Sequence, residues 1–124
     1  MRRMLNRLTS SYQELEAEEL QQDTHELGGT PIATCAERVA AREPVTVFGT
    51  LRTVTFRPRA GVPALEAELY DGSGALSVVW LGRRQIAGIE PGRQLVAHGR
   101  IGTIQGRPVM FNPSYELRPI GGRD

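Results

Sequence analysis

The feature that most limits this chain is a strand-like alternation carried through its last two-thirds and cut at short intervals by glycine and proline. Val45, Val47, Gly49 and Leu51 alternate with Thr46, Phe48, Thr50 and Arg52, and the segment continues through Val54 and Phe56. Period two reads as a half-buried strand, and a central glycine is where a sharply curved strand bends. Leu65, Ala67 and Leu69 alternate with Glu66, Glu68 and Tyr70 in a second strand. Asp71-Gly72-Ser73-Gly74 is a tight reverse turn, and Leu76, Val78 and Trp80 mark the third strand. Gly82 to Gly88 fits a short helix or turn, and Pro91-Gly92 signals a type II turn. Leu95, Ala97, Gly99 and Ile101 define a fourth strand. Gln105-Gly106 turns the chain, and Val109-Met110-Phe111 form a fifth strand that Asn112-Pro113 ends or bends. Five strands with a short helix between the third and fourth predict a mainly β domain, a five-stranded Greek-key OB-fold barrel. A small sandwich or an SH3-like barrel shares much of this periodicity.

The first third has a different texture. Met1, Leu5, Leu8, Tyr12 and Leu15 recur at helical spacing, predicting a helix over about 3–22 that ends near Gly28-Gly29. The stripe either packs on its own domain, serves as an oligomer or partner helix, or frays. Thr30-Pro31 resembles an N-cap with proline at the first helical position. Ile32, Ala36 and Val39 give that short helix an apolar face, and Glu43-Pro44 stop it. The expected organisation is a helical segment over 1–42, the barrel over 43–118 and a flexible tail over 119–124.

Composition narrows the chemistry. All basic residues are Arg, so a Walker-type lysine and a Schiff-base lysine are excluded. Arg-only usage fits a GC-rich genome, and Arg suits bidentate phosphate contacts and base stacking. Net charge is +1, split as −2 over residues 1–42 (five Arg, seven acidic) and +3 over residues 43–124 (ten Arg, seven acidic). Cys35 is the single cysteine, so no intramolecular disulfide or cysteine zinc cluster can form. His25 and His98 lie far apart, and no metal or cofactor is expected. Neither a secretory signal nor a transmembrane stretch is evident, which leads to the expectation of a cytoplasmic protein with no membrane partner.

The run from Val45 to Glu116 resembles the wedge OB domain of RecG-type branched-DNA helicases. It resembles still more the small stand-alone OB-fold proteins of actinobacteria associated with nucleic-acid binding. The carrying pieces are Val45-Thr46-Val47-x-Gly49-x-Leu51 and Leu69-x-Asp71-Gly72-Ser73-Gly74-x-Leu76-x-Val78-Val79-Trp80. Glu90-Pro91-Gly92, Gly99-x-Ile101 and Asn112-Pro113-x-Tyr115-Glu116 continue them. No helicase motor follows, so the resemblance implies single-strand or junction binding and not unwinding.

OB-folds bind single strands across strands 2 and 3, between the loop joining strands 1 and 2 and that joining strands 4 and 5. Arg57 and Arg59 fall in the first loop and Arg107 beside the second. Arg52 and Arg100 occupy outward strand positions, and Arg83 and Arg84 open the connection after strand 3. Singly, each is an ordinary solvated cation. Together they frame one groove. Tyr70 faces outward and is the better stacking candidate. Trp80 stands in phase with Leu76 and Val78, which points to the core, with base stacking as its other role. Phe48 either closes the barrel bottom or lies on the ligand face, Phe56 anchors the first loop, and Phe111 and Tyr115 read as core. Glu66 and Glu68 share the outward face and oppose phosphate unless arginines pair with them. No catalytic constellation emerges: Asp71–Gly74 lacks nucleophile-elbow spacing and His98 has no nucleophile near it in sequence. The sequence therefore describes a non-enzymatic module for single-stranded or branched DNA, or RNA. The alternative is a protein-interaction domain, or self-association, through residues 1–28 or a barrel edge.

Overall fold

A computed structural model describes the backbone of residues 2–119 and the side chains from residue 11 onward. Met1, the Leu5 and Leu8 side chains and residues 120–124, with most of the expected tail, lie outside the described residues. The order is α1 (Arg2–Glu26), a 3-10 helix (Ile32–Arg38), β1 (Val45–Phe56), β2 (Ala64–Tyr70), β3 (Ala75–Leu81), β4 (Gln94–Gly99), β5 (Ile101–Ile104), β6 (Arg107–Phe111) and β7 (Ser114–Leu117).

The protein is mainly β, but the strand count and closure differ from expectation. The seven strands form one sheet in the order β5-β6-β3-β2-β1-β4-β7, with two free ends, not a closed five-stranded barrel. The expected fourth strand breaks at Arg100 into β4 and β5. Gly99 sits there against Met110 and Pro113, where an added Cβ would meet Met110 Cγ at 3.0 Å. Past Asn112-Pro113 the chain adds β7 to β4 instead of ending the sheet. Because only Arg100 separates β4 from β5, and they stand at opposite sides of the strand order, the sheet curls back on itself. β1 is its hub, antiparallel to both β2 and β4, while β6 runs parallel to β3.

The short helix expected between β3 and β4 is absent. Residues 82–93 are a string of turns, because Gly82, Gly88 and Gly92 all adopt left-handed φ, which interrupts helical geometry. Buried Ile86 and Ile89 pin this connection to the core. Pro91-Gly92 forms the expected turn, with Arg93 N donating to Glu90 O at 3.1 Å. Gln105 and Gly106 both have positive φ, the signature of a two-residue hairpin turn between β5 and β6.

Inside the curl, Val47, Leu51, Leu69, Leu76, Val78, Leu95 and Met110 form the core with Trp80, Ile32 and Cys35. Gly49 lets β1 approach β2: a Cβ there would lie 2.5 Å from Tyr70 O.

The turn between β2 and β3 organises the helical segment. Buried Asp71 accepts from Ser73 N (2.9 Å), Ser73 Oγ (2.7 Å) and Gly74 N (3.1 Å). Its other oxygen accepts from Ile32 N at 2.8 Å, and Ser73 Oγ accepts from Ala33 N at 3.0 Å. The expected Thr30 cap is therefore replaced. Pro31 occupies the capping position without a side-chain bond, and two residues about forty positions away satisfy the open N–H groups of the 3-10 helix. Burial, then the Asp71 charge, pushes the Cys35 thiol up to about 11, with Arg38 opposing. Between its ordinary value of 9.0 and about 11 the unfolded chain loses a proton that the folded chain keeps. Stability is thus expected to fall as pH rises through that window, and denaturant titrations should show a shallower fall in Cys35→Ala.

α1 extends further than its apolar stripe predicts, and it is anchored by its C-terminal half. Leu20 and Thr24 are buried, and Gly72 lies so close that a Cβ there would clash with Ala17 O. Tyr12 and Leu15, for which packing on the domain was one of three readings, are 71% and 53% exposed. No helix among the described residues is long and apolar enough to cross a membrane.

Candidate nucleic-acid interface

Strand register decides which side chains share the outer face of the sheet. In antiparallel pairs, residues directly opposite point the same way. Thr55, Glu66, Val79 and Phe111 form one outward row across β1, β2, β3 and β6, and Thr53, Glu68, Ser77, Val109 and Gly102 form the next. Ala64, Val79 and Val109 are buried on this face as a second, smaller apolar cluster, with Ile104 packed on them.

Over that floor lies a cleft of about 320 Å³. The loop after β1 supplies Arg57 and Arg59, the β5–β6 hairpin supplies Ile104, Gln105 and Arg107, and the strands supply Glu66, Ser77 and Val109. The two loops that the sequence placed around one groove therefore do meet, and three guanidinium groups line one depression. The loop after β1 holds its shape through paired backbone bonds between Arg59 and Val62 and a left-handed Ala60-Gly61.

Glu66 pairs with Arg59, whose Nη2 donates to its Oε2. The carboxylate thus neutralises one of the three cations, and its partner comes from the loop, not from β1. Arg59 Nε is buried and has no hydrogen-bond partner among the described residues. Among the lining residues, three guanidiniums and one carboxylate leave a net charge of +2. Arg57 and Arg107 are exposed at the rim.

The other candidates scatter. Arg52 lies 3.5 Å above the centroid of the Tyr70 ring, so one face of the expected stacking platform is already occupied. Arg84 lies 5.3 Å over Phe56, while Arg83 is exposed in the turn after β3. Arg100 stands at the β4–β5 break, its Nε donating to Arg42 O at 2.8 Å. Trp80 is 5% exposed, donates to Pro113 O and packs edge-on against Tyr115 at 5.6 Å, so it presents no face to a base. Phe48 is fully buried beneath Arg118.

Phe111, read from sequence as a core residue, is instead 40% exposed on the outer face. Local alternation cannot reveal this. The parallel pairing of β6 with β3 sets its orientation, and that pairing is not visible in a short apolar triplet.

The sequence matches no protein-family model and no curated protein. Among solved structures the fold is similar to part of RecG in a structure of RecG bound to a three-way DNA junction, with a TM-score of 0.51 and 21% identity. The match covers 64% of this chain and 11% of that one, so this chain corresponds to a small portion of RecG. At that identity the likeness is one of fold.

Proposed function

We propose that the chain is a non-enzymatic OB-type module that binds single-stranded or branched nucleic acid on the outer face of β2, β3 and β6. The convergence of Arg57, Arg59 and Arg107 on one cleft carries this reading. Two rim guanidiniums without carboxylate partners among the described residues supply phosphate contacts, and Arg59, already paired with Glu66, serves chiefly to position the loop. The likeness in fold to a segment of a junction-bound helicase supports the same class of ligand. Neutralising phosphates releases counterions, so binding to single strands should weaken steeply with salt, at about −0.7 in log–log slope per phosphate contacted. Titration of a labelled oligonucleotide at several salt concentrations tests it. A salt-insensitive isotherm, or none, counts against it.

The exposure of Tyr12 and Leu15 favours a second role for α1 alone, contact with another copy. Its first part carries Arg2, Arg3 and Arg7, and its later part Glu14, Glu16, Glu18, Glu19, Asp23 and Glu26. That arrangement opposes the helix dipole, which favours acids at the start and bases at the end. An antiparallel partner helix would set basic half against acidic half and relieve both ends. Deleting residues 1–10 should then abolish any concentration dependence of the sedimentation coefficient. A coefficient that does not change with concentration in the intact chain contradicts this role.

A further inference from the structure

The arginine cleft has charge but no aromatic ring among its lining residues. Single strands are held by both, with cations on the backbone and flat groups under unpaired bases. The sheet's rings are mostly engaged elsewhere: Tyr70 under Arg52, Phe56 under Arg84, Phe48 buried under Arg118, and Trp80 against Tyr115. Among the described residues, Phe111 is the exposed ring of the sheet with no guanidinium over it.

Its surroundings suit an anionic, flat ligand. Phe111 lines a second depression of about 660 Å³ with Arg42, Arg100, Gly102, Thr103 and Asn112, and no carboxylate contributes to that lining. The Arg100 Nε bond to Arg42 O ties its two guanidinium-bearing residues together, with Arg42 held in a left-handed conformation. The pairing of Ile101 with Met110 places Arg100 opposite Phe111 at the end of the β5–β6 ladder. The second depression neighbours the first along β6. Val109, in the wall of the arginine cleft, and Phe111 are two residues apart on the same face of β6, about 7 Å along the strand. Gly102, directly opposite Val109, puts no side chain between them.

We propose that Phe111, with Arg42 and Arg100, forms a base-stacking subsite for a single strand that enters through the Arg57/Arg107 cleft and follows β6. The ring takes the face of one unpaired base, and the two guanidiniums take flanking phosphate. A duplex, whose base faces are stacked inside it, gains only the charge contacts. The subsite rests on the nucleic-acid reading above, and its test separates the two.

The probe is a fluorescently labelled oligothymidylate of about 15 nucleotides, compared with a duplex of equal length. Phe111→Ala should weaken single-strand binding by about 5- to 150-fold with the salt slope unchanged, and leave duplex binding unaltered. Arg100→Ala should flatten the slope by about one phosphate contact. Phe111→Trp should restore affinity, and its fluorescence should be quenched on binding. Because the ring is exposed, Phe111→Ala should keep the thermal transition of the parent, and Phe111→Trp reports independently of that variant. If wild type binds with a steep salt slope while Phe111→Ala binds equally well and Phe111→Trp is not quenched, the subsite is wrong and the arginine cleft stands. If wild type binds neither probe, nor a forked duplex, both readings fall.

Discussion

Replacing Asp71 with Ala is expected to cost about 3–5 kcal/mol of folding stability, the largest single-residue effect on the fold. The carboxylate is buried and accepts four hydrogen bonds from two separate parts of the chain. Removing it leaves buried Ile32 N and the part-buried turn N–H groups without their acceptor. Each unsatisfied buried donor costs about 1–3 kcal/mol, and partial relaxation offsets some of the sum. Asp71→Asn keeps one acceptor oxygen but turns an NH2 toward donors, so it should lose less than Ala and still be clearly destabilised. Urea unfolding measures both. A midpoint within error of the parent for Asp71→Ala would mean that the turn does not hold the helical segment to the sheet. The consequence reaches function, because the same hairpin connects β2 and β3, the strands that floor the cleft.

The second large effect is on binding. Arg57→Ala combined with Arg107→Ala should weaken single-strand affinity by at least tenfold at low salt, across all base sequences, and flatten the log–log salt slope by about 1.4, two contacts at 0.7 each. Both side chains are exposed on the rim, so stability should change by less than about 0.5 kcal/mol. Arg59→Ala should behave differently. It leaves Glu66 without its ion-pair partner on the cleft wall, so affinity should drop through added repulsion as well as lost attraction. Combining Arg59→Ala with Glu66→Gln should recover part of that drop, an interaction that an independent pair of sites would not show.

What could be read from the chain followed the range of the forces involved. β1 was legible over its full length because period-two patterning is local, with a change of phase between Leu51 and Val54, and the Asp71–Gly74 hairpin was legible because turn chemistry is local too. The meeting of Arg57, Arg59 and Arg107 was expected from the OB-fold pattern, and the three line one cleft although the sheet is not the closed barrel of that pattern. The failures share a cause in long-range context. The connection over 82–93 lacks a helix because three glycines take left-handed φ, a choice that their spacing alone does not force. The break at Arg100 reflects Gly99 pressed against Met110, a contact between distant strands. Of the apolar stripe on α1, the described side chains Tyr12 and Leu15 are exposed. Leu20 and Thr24 are buried instead, and Thr24, whose Oγ donates to Leu20 O, carries no hydrophobic signal. Arg52, which lies over Tyr70, falls at the register shift in β1 between Leu51 and Thr53, and that cross-strand contact has no local signal.

The most direct test of the central claim is to observe the surface that meets the ligand. Isotope-labelled protein titrated with an unstructured oligothymidylate at low salt should show amide shifts concentrated in three places: the Arg57–Arg59 loop, the Glu66 and Ser77 positions of β2 and β3, and Gln105 through Phe111. α1 and β7 should stay unchanged. Shifts confined to α1, or none anywhere up to millimolar ligand, would contradict the assignment of this face as a nucleic-acid interface.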